Sequence, residues 1–213
     1  FLTDFKSNRK LLVNTIDSEI KESLVYIAEK YSVSPIIYCY YNDKDLMYIG
    51  DINNEGIEWY HKNRIKDKDP RLKKDLKFED VLNMSIIGIT IIDVQEKLEP
   101  IKKELDAKCK NIYTNITESL QTPRYKWFTI NSANANKSDA ILSLKKYLNI
   151  QNYFTVVIGD QPIDIPMFNI SDLSVAVENA HPSVKSCADV ITGDNDSDSV
   201  VDFIETHYNN ENR

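Results

Sequence analysis

Two hydrophobic periods alternate along this chain, and the changes between them mark its elements. Residues 10–15 carry a short strand pattern. Over Ser18–Tyr31 the apolar positions Ile20, Leu24, Ile27 and Ala28 recur at helical spacing, with Asp17 or Ser18 placed to cap the helix. Ser34-Pro35 ends that unit. Residues 36–41 and 46–49 are β-rich runs on either side of Asn42-Asp43-Lys44-Asp45, which predicts a hairpin. A helix follows over 53–66 with Ile57 and Tyr60 among its apolar positions, then a charged loop over 66–77 containing Pro70, then a short helix over Phe78–Leu82. Residues 84–92 are almost continuously apolar, as a buried strand requires. A helix over 94–108 and strands over 111–117 and 125–131 complete this part.

The tail has a different rhythm. A helix over 136–148 leads to an apolar strand over 154–158. A short helix over 162–168 starts with Pro162, in the first turn where proline is tolerated. A strand over 173–177, a helix over 182–188, a strand over Val190–Ile191 and a helix over 198–207 follow. Strands alternating with helices imply βαβ units and a parallel sheet. The chain therefore divides into residues 1–10 as a linker, 11–131 as an α/β domain and 132–213 as part of a parallel-sheet core.

Composition narrows the function classes. The 213 residues are 42% hydrophobic and 28% charged, ordinary for a globular fold, with a net charge of -7. With no basic stripe, nucleic acid is excluded as the expected partner. No apolar run approaches the ~20 residues that span a bilayer, so no membrane association is expected. No signal peptide is visible. Cys39, Cys109 and Cys187 are odd in number and dispersed, which reads as buried free thiols in a reducing cytoplasm. The chain opens in mid-pattern on Phe1 without an initiator Met.

The chemistry concentrates at Phe154-Thr155-Val156-Val157-Ile158-Gly159-Asp160-Gln161-Pro162-Ile163-Asp164. An apolar strand ends in Gly-Asp, and a second Asp follows at a helix start. Ligands of parallel α/β sheets sit at the carboxyl ends of strands. Gly159 is expected to let the chain turn sharply there. Asp160 and Asp164 converging on one point suit a hard cation such as Mg²⁺, which takes oxygen ligands and keeps several waters. On spacing alone the same pair also reads as a turn residue and a helix cap.

Three further stretches stand in register with this motif: Lys137-Ser138-Asp139-Ala140-Ile141, Val175-Ala176-Val177-Glu178-Asn179-Ala180 and Val184-Lys185-Ser186-Cys187-Ala188-Asp189-Val190-Ile191-Thr192. In order and spacing the four resemble the Cof-type phosphatases of the haloacid dehalogenase (HAD) superfamily, over residues 134–207. The resemblance implies a partial Rossmann-like core, its C-terminal half, with residues 11–131 as an inserted α/β cap. It implies a Mg²⁺-dependent phosphatase acting on a small phosphorylated metabolite through an aspartyl-phosphate. Lys137 would hold the phosphoryl oxygens, Asp160 would ligate the metal, and Asp164 would hold it through water or support the loop. Asn179 would lie near the phosphate, with a turn-capping role as the alternative.

Departures from the family pattern are specific. Ile163 stands where an Asn is usual and cannot hydrogen-bond phosphate; Ser138 replaces a Gly. The family's nucleophile, an Asp-x-Asp after an apolar strand, has no match in this chain. Asp43-Lys44-Asp45 falls in the hairpin and Asp67-Lys68-Asp69 in the charged loop. The nucleophile is expected to lie in core sequence outside these residues, and the chain by itself is expected to be inactive. The alternative function is a degenerate, non-catalytic module that binds a phospho-metabolite or a protein. Asp194, Asp196, Asp198, Asp202 and Glu205 fall at EF-hand ligand spacing, but Ser199 occupies the obligatory Gly position. The expected role of that stretch is to cap the last helix through Asp196 or Ser197.

Overall fold

In the computed structural model, which describes residues 1–7, 9–73 and 77–211, the chain forms two units, Phe1–Ala135 and Asn136–Arg213. The fold class is α/β, with one antiparallel and one parallel sheet in separate units.

The first unit begins with a two-stranded ribbon, β1 (Leu2–Thr3) and β2 (Lys10–Leu12), and the helix α1 (Ser18–Tyr31). Its main sheet has five strands: β3 (Pro35–Tyr41), β4 (Lys44–Ile49), β5 (Ser85–Asp93), β6 (Ile112–Glu118) and β7 (Lys126–Ser132), in the order β4-β3-β5-β7-β6, all antiparallel. Period-two alternation sends neighbouring side chains to opposite faces. Ile37, Ile89, Ile91, Phe128 and Ile130 face one core with Leu24 and Ile27 of α1 and Leu98 and Ile101 of α4 (Gln95–Lys108). Ile36, Ile92 and Trp127 face the other, with Ile57 and Tyr60 of α2 (Glu55–Lys66). Covering both faces explains why β5 reads as a continuous apolar run. A Cβ on Gly56 would stand 2.7 Å from Ile92 Cγ2 and 2.9 Å from Tyr125 Cγ, so glycine lets α2 lie close on the sheet. The short helix α3 (Phe78–Leu82) follows the loop after α2.

The hairpin is tighter than its sequence suggests. Asn42 and Asp43 take φ of 48° and 59°, and Tyr41 pairs with Lys44. A two-residue turn with left-handed φ at both positions matches strand twist. It lets Lys44 and Asp45 join β4 instead of the turn.

The second unit opens with α5 (Lys137–Leu148). The strands β8 (Val156–Gly159), β9 (Leu173–Ala176) and β10 (Val190–Ile191) form a parallel sheet in the order β10-β9-β8. A 3-10 turn at Pro162–Asp164 runs into α6 (Ile165–Phe168); α7 (Pro182–Lys185) links β9 to β10, and α8 (Ser199–Glu211) closes the unit. Its core is Val157, Met167, Phe168, Ala176, Val177, Ala180 and Val184. β8 borders the sheet among the described residues. Phe154, two residues before its start, and Val156, its first residue, are 60% and 42% exposed.

Two expectations need correction. Of the three free cysteines only Cys39 is buried; Cys109 is partly covered and Cys187, just after α7, is exposed. The last helix starts at Ser199, so neither Asp196 nor Ser197 caps it. The Asp196 amide donates to Asp194 Oδ1 at 3.1 Å, and the Ser197 hydroxyl donates to the Asp194 carbonyl at 3.0 Å, which commits the Ser197 side chain to the preceding loop.

Candidate functional site

The site is built at the carboxyl end of β8. α5 is started by Asn136, whose side-chain oxygen accepts from the Asp139 amide at 2.8 Å, an N-cap that sets Lys137 as the first helical residue. From there the Lys137 ammonium donates to Asp164 Oδ1 at 2.6 Å. The other oxygen of Asp164, Oδ2, accepts from the backbone amides of Asp160 and Gln161, both at 3.1 Å. One buried carboxylate thus ties the helix start to the turn after β8: the Asp164 side chain is 3% exposed and that of Lys137 59%. Burial pushes the Asp164 carboxyl up. The Lys137 ammonium and the two amides outweigh that and hold it below the usual carboxylate range.

Gly159 has a reason other than the expected turn. Among the described residues no glycine has positive φ. A Cβ at Gly159 would stand 2.7 Å from Asp164 Cβ and 3.1 Å from Phe168 Cε1, so glycine is required by the close approach of Asp164 to the strand end.

Asp160 follows. Its carbonyl accepts from the His181 amide at 2.9 Å, and its carboxylate has a long contact, 3.4 Å, from Gln161 Nε2. Ile163, in the 3-10 turn, is half exposed. Asn179 lies on the exposed turn after β9: its Nδ2 donates to Asn195 Oδ1 at 2.5 Å and its Oδ1 accepts from the Asn195 amide at 3.2 Å. Lys137, Asp164 and Asp160 are joined in one network, whereas Asn179 is engaged with the loop before α8. Sequence reasoning missed Gln161, His181 and Asn195. A residue just before Pro182 is a visible cap signal for His181, whose Nδ1 accepts from the Ser183 amide at 3.2 Å. Nothing in the local pattern marks Asn195.

The donor chemistry fits a hard cation. Asp160 supplies carboxylate oxygens with a single long contact, whereas both oxygens of Asp164 are engaged by Lys137 and the amides of Asp160 and Gln161, so Asp164 orders the turn that presents Asp160. Among the described residues no group of three or more His, Cys, Asp or Glu gathers. Mg²⁺ is held in proteins by one or two carboxylates with water completing its shell.

The other Asp-x-Asp stretches are occupied. The Tyr40 hydroxyl donates to Asp43 Oδ1 at 2.9 Å and Lys10 pairs with Asp45 at 3.4 Å. Asp69 accepts from Arg71 Nε at 3.0 Å and Nη2 at 2.7 Å, and the Arg71 guanidinium holds its carboxyl far below the usual range. In the first unit the Tyr38 and Tyr60 hydroxyls meet at 2.9 Å, and burial pushes the Tyr60 hydroxyl well up. Among the described residues no helix is long and apolar enough to cross a membrane.

Comparison with known proteins gives a consistent picture. A family model described as haloacid dehalogenase-like hydrolase matches residues 1–204. A phosphoglycolate phosphatase of Sulfurisphaera tokodaii is 32% identical over 114 residues, 54% of this chain and 43% of that protein. A putative phosphatase of Metamycoplasma hominis is 23% identical over 189 residues, 82% of this chain and 65% of that protein. The chain spans less than two thirds of the length of either relative. A crystal structure from Thermotoga maritima superposes with a TM-score of 0.69 at 28% identity, covering 92% of this chain and 68% of that one.

Proposed function

Because the chain belongs to the haloacid dehalogenase-like hydrolase family, we propose that the whole protein is a phosphatase that hydrolyses a small phosphorylated metabolite. The observation that carries this reading is the joining of Lys137, Asp164 and the Asp160 backbone at the end of a parallel strand.

In this reading Lys137 holds the phosphoryl oxygens through the N–H bonds that Asp164 does not use. Asp164 fixes the direction of that ammonium and, through two amides, the turn that presents Asp160. Asp160 holds Mg²⁺, with Asp164 acting through water. The bound cation would neutralise charge that develops on the phosphoryl oxygens. Asn179 supports the turn beside the phosphate. Residues 11–131 serve as the cap, which excludes water and selects the leaving group. The nucleophilic aspartate is to be sought outside residues 1–213. The relatives named as phosphoglycolate phosphatases put small phosphorylated acids first in a substrate panel. Free thiols fit a cytoplasmic setting.

The test is hydrolysis of an aryl phosphate by the full-length protein. Turnover with Mg²⁺, its loss in EDTA, and a fall of about 10²-fold or more in kcat/KM for Lys137→Ala and Asp160→Ala are expected. Unchanged activity in Asp160→Ala overturns the metal assignment. No turnover on any phosphorylated metabolite favours the binding module.

A further inference from the structure

The loop before α8 is tied to itself more than its acidic composition requires. The Ser199 hydroxyl donates to the Asp194 carbonyl at 2.7 Å, the Ser197 hydroxyl donates to the same carbonyl, and the Thr192 hydroxyl donates to the Ser199 carbonyl at 3.2 Å. A Cβ on Gly193 would stand 2.8 Å from Ser199 Cβ, so the loop closes tightly there. This loop grips the turn after β9 at two points. The Glu178 amide donates to the Gly193 carbonyl at 3.1 Å, and Asn179 and Asn195 exchange two hydrogen bonds. Two residues further on, the His181 amide donates to the Asp160 carbonyl. An unbroken path therefore runs from the loop, through Asn195, Asn179 and His181, to the backbone of Asp160.

We propose that Asn195 is a positioning residue: with Asn179 it forms a clasp that holds the turn 178–181, and through the His181 amide it sets the backbone from which the Asp160 carboxylate is presented. This deepens the reading of Asp160 as a metal ligand and rests on it. It reassigns Asn179 from a phosphate contact to half of the clasp.

The geometry makes the mutational logic sharp. Asn195 accepts with its side chain and donates with its backbone, so Asn195→Ala removes one of the two bonds and Asn195→Asp keeps both. Asn179→Ala removes both. The first readout is amide hydrogen exchange of the 213-residue chain, which needs no metal. In Asn179→Ala the His181 amide should exchange about tenfold faster. Asn195→Ala should shift it in the same direction by less, and Asn195→Asp should stay within about twofold of wild type. Amides of β9 should be unchanged throughout. The second readout is the shift of the Asp160 and Gln161 amide resonances on titration with Mg²⁺, whose midpoint should rise about tenfold in Asn179→Ala and return in Asn195→Asp. Unchanged His181 exchange in Asn179→Ala, or a loss shared equally by β9, overturns the clasp. Asp160→Asn is the control that separates the two ideas. If it leaves the Mg²⁺ response intact, the metal assignment fails, while the exchange data still decide the clasp.

Discussion

A lysine at the first position of a helix sits at the positive end of the peptide dipole, where a cation is disfavoured by about 0.3–1 kcal/mol. Lys137 holds that position because Asp164 stands 2.6 Å away. The pairing makes Asp164 one of the carboxylates through which acid acts on the fold. Its folded-state pKa is lowered, so it contributes stability above the ordinary carboxylate range, and this is lost as pH falls through the lowered value. Asp164→Asn should therefore destabilise the chain by about 1–2 kcal/mol at neutral pH. It should also flatten the acid limb of stability below about pH 4, as read by urea unfolding at a series of pH values. An acid limb as steep as in wild type would assign that sensitivity to other carboxylates.

At the scale of elements, Gly159 is the position that tolerates least. Gly159→Ala forces either the strand end or the Asp164 side chain to move, at a cost of about 1–3 kcal/mol. In the whole protein it should lower kcat/KM even in variants that still fold. Thermal melts with steady-state kinetics check both. Most elements were legible because their apolar periods are strong: α1 spans Ser18–Tyr31 as its spacing requires, and α3 likewise. The hairpin turn was not, since Lys44 and Asp45 look like turn residues until φ at Asn42 and Asp43 is known. The nearness of Asp164 to the turn after β8 was legible in the strand-end motif, whereas its pairing with Lys137 could be expected only from the family resemblance. The clasp was not, because Asn179 and Asn195 meet across sixteen residues with no period to announce it.

At the scale of the molecule, each unit has its own core. Phe128, fully buried between β5 and β6 neighbours, anchors the antiparallel unit. Phe128→Ala should cost about 3–5 kcal/mol in equilibrium unfolding. A ligand that binds only the folded state stabilises it by mass action, about 2.7 kcal/mol at a hundredfold excess over Kd. Mg²⁺ should accordingly raise the melting temperature of this chain, EDTA should reverse it, and Asp160→Ala should abolish it. An equal rise in Asp160→Ala would locate the cation elsewhere.

Under the phosphate-binding role proposed for Lys137, its pairing with Asp164 sets a charge requirement on the ligand. An incoming anion does not meet a bare ammonium but one already shared with a seated carboxylate, and Coulomb attraction scales with the charge the newcomer brings. Under that role a doubly charged phosphate monoester is expected to bind more tightly than a singly charged sulfate ester of the same shape, because the exposed ammonium lies nearer the newcomer than the buried carboxylate of Asp164 does.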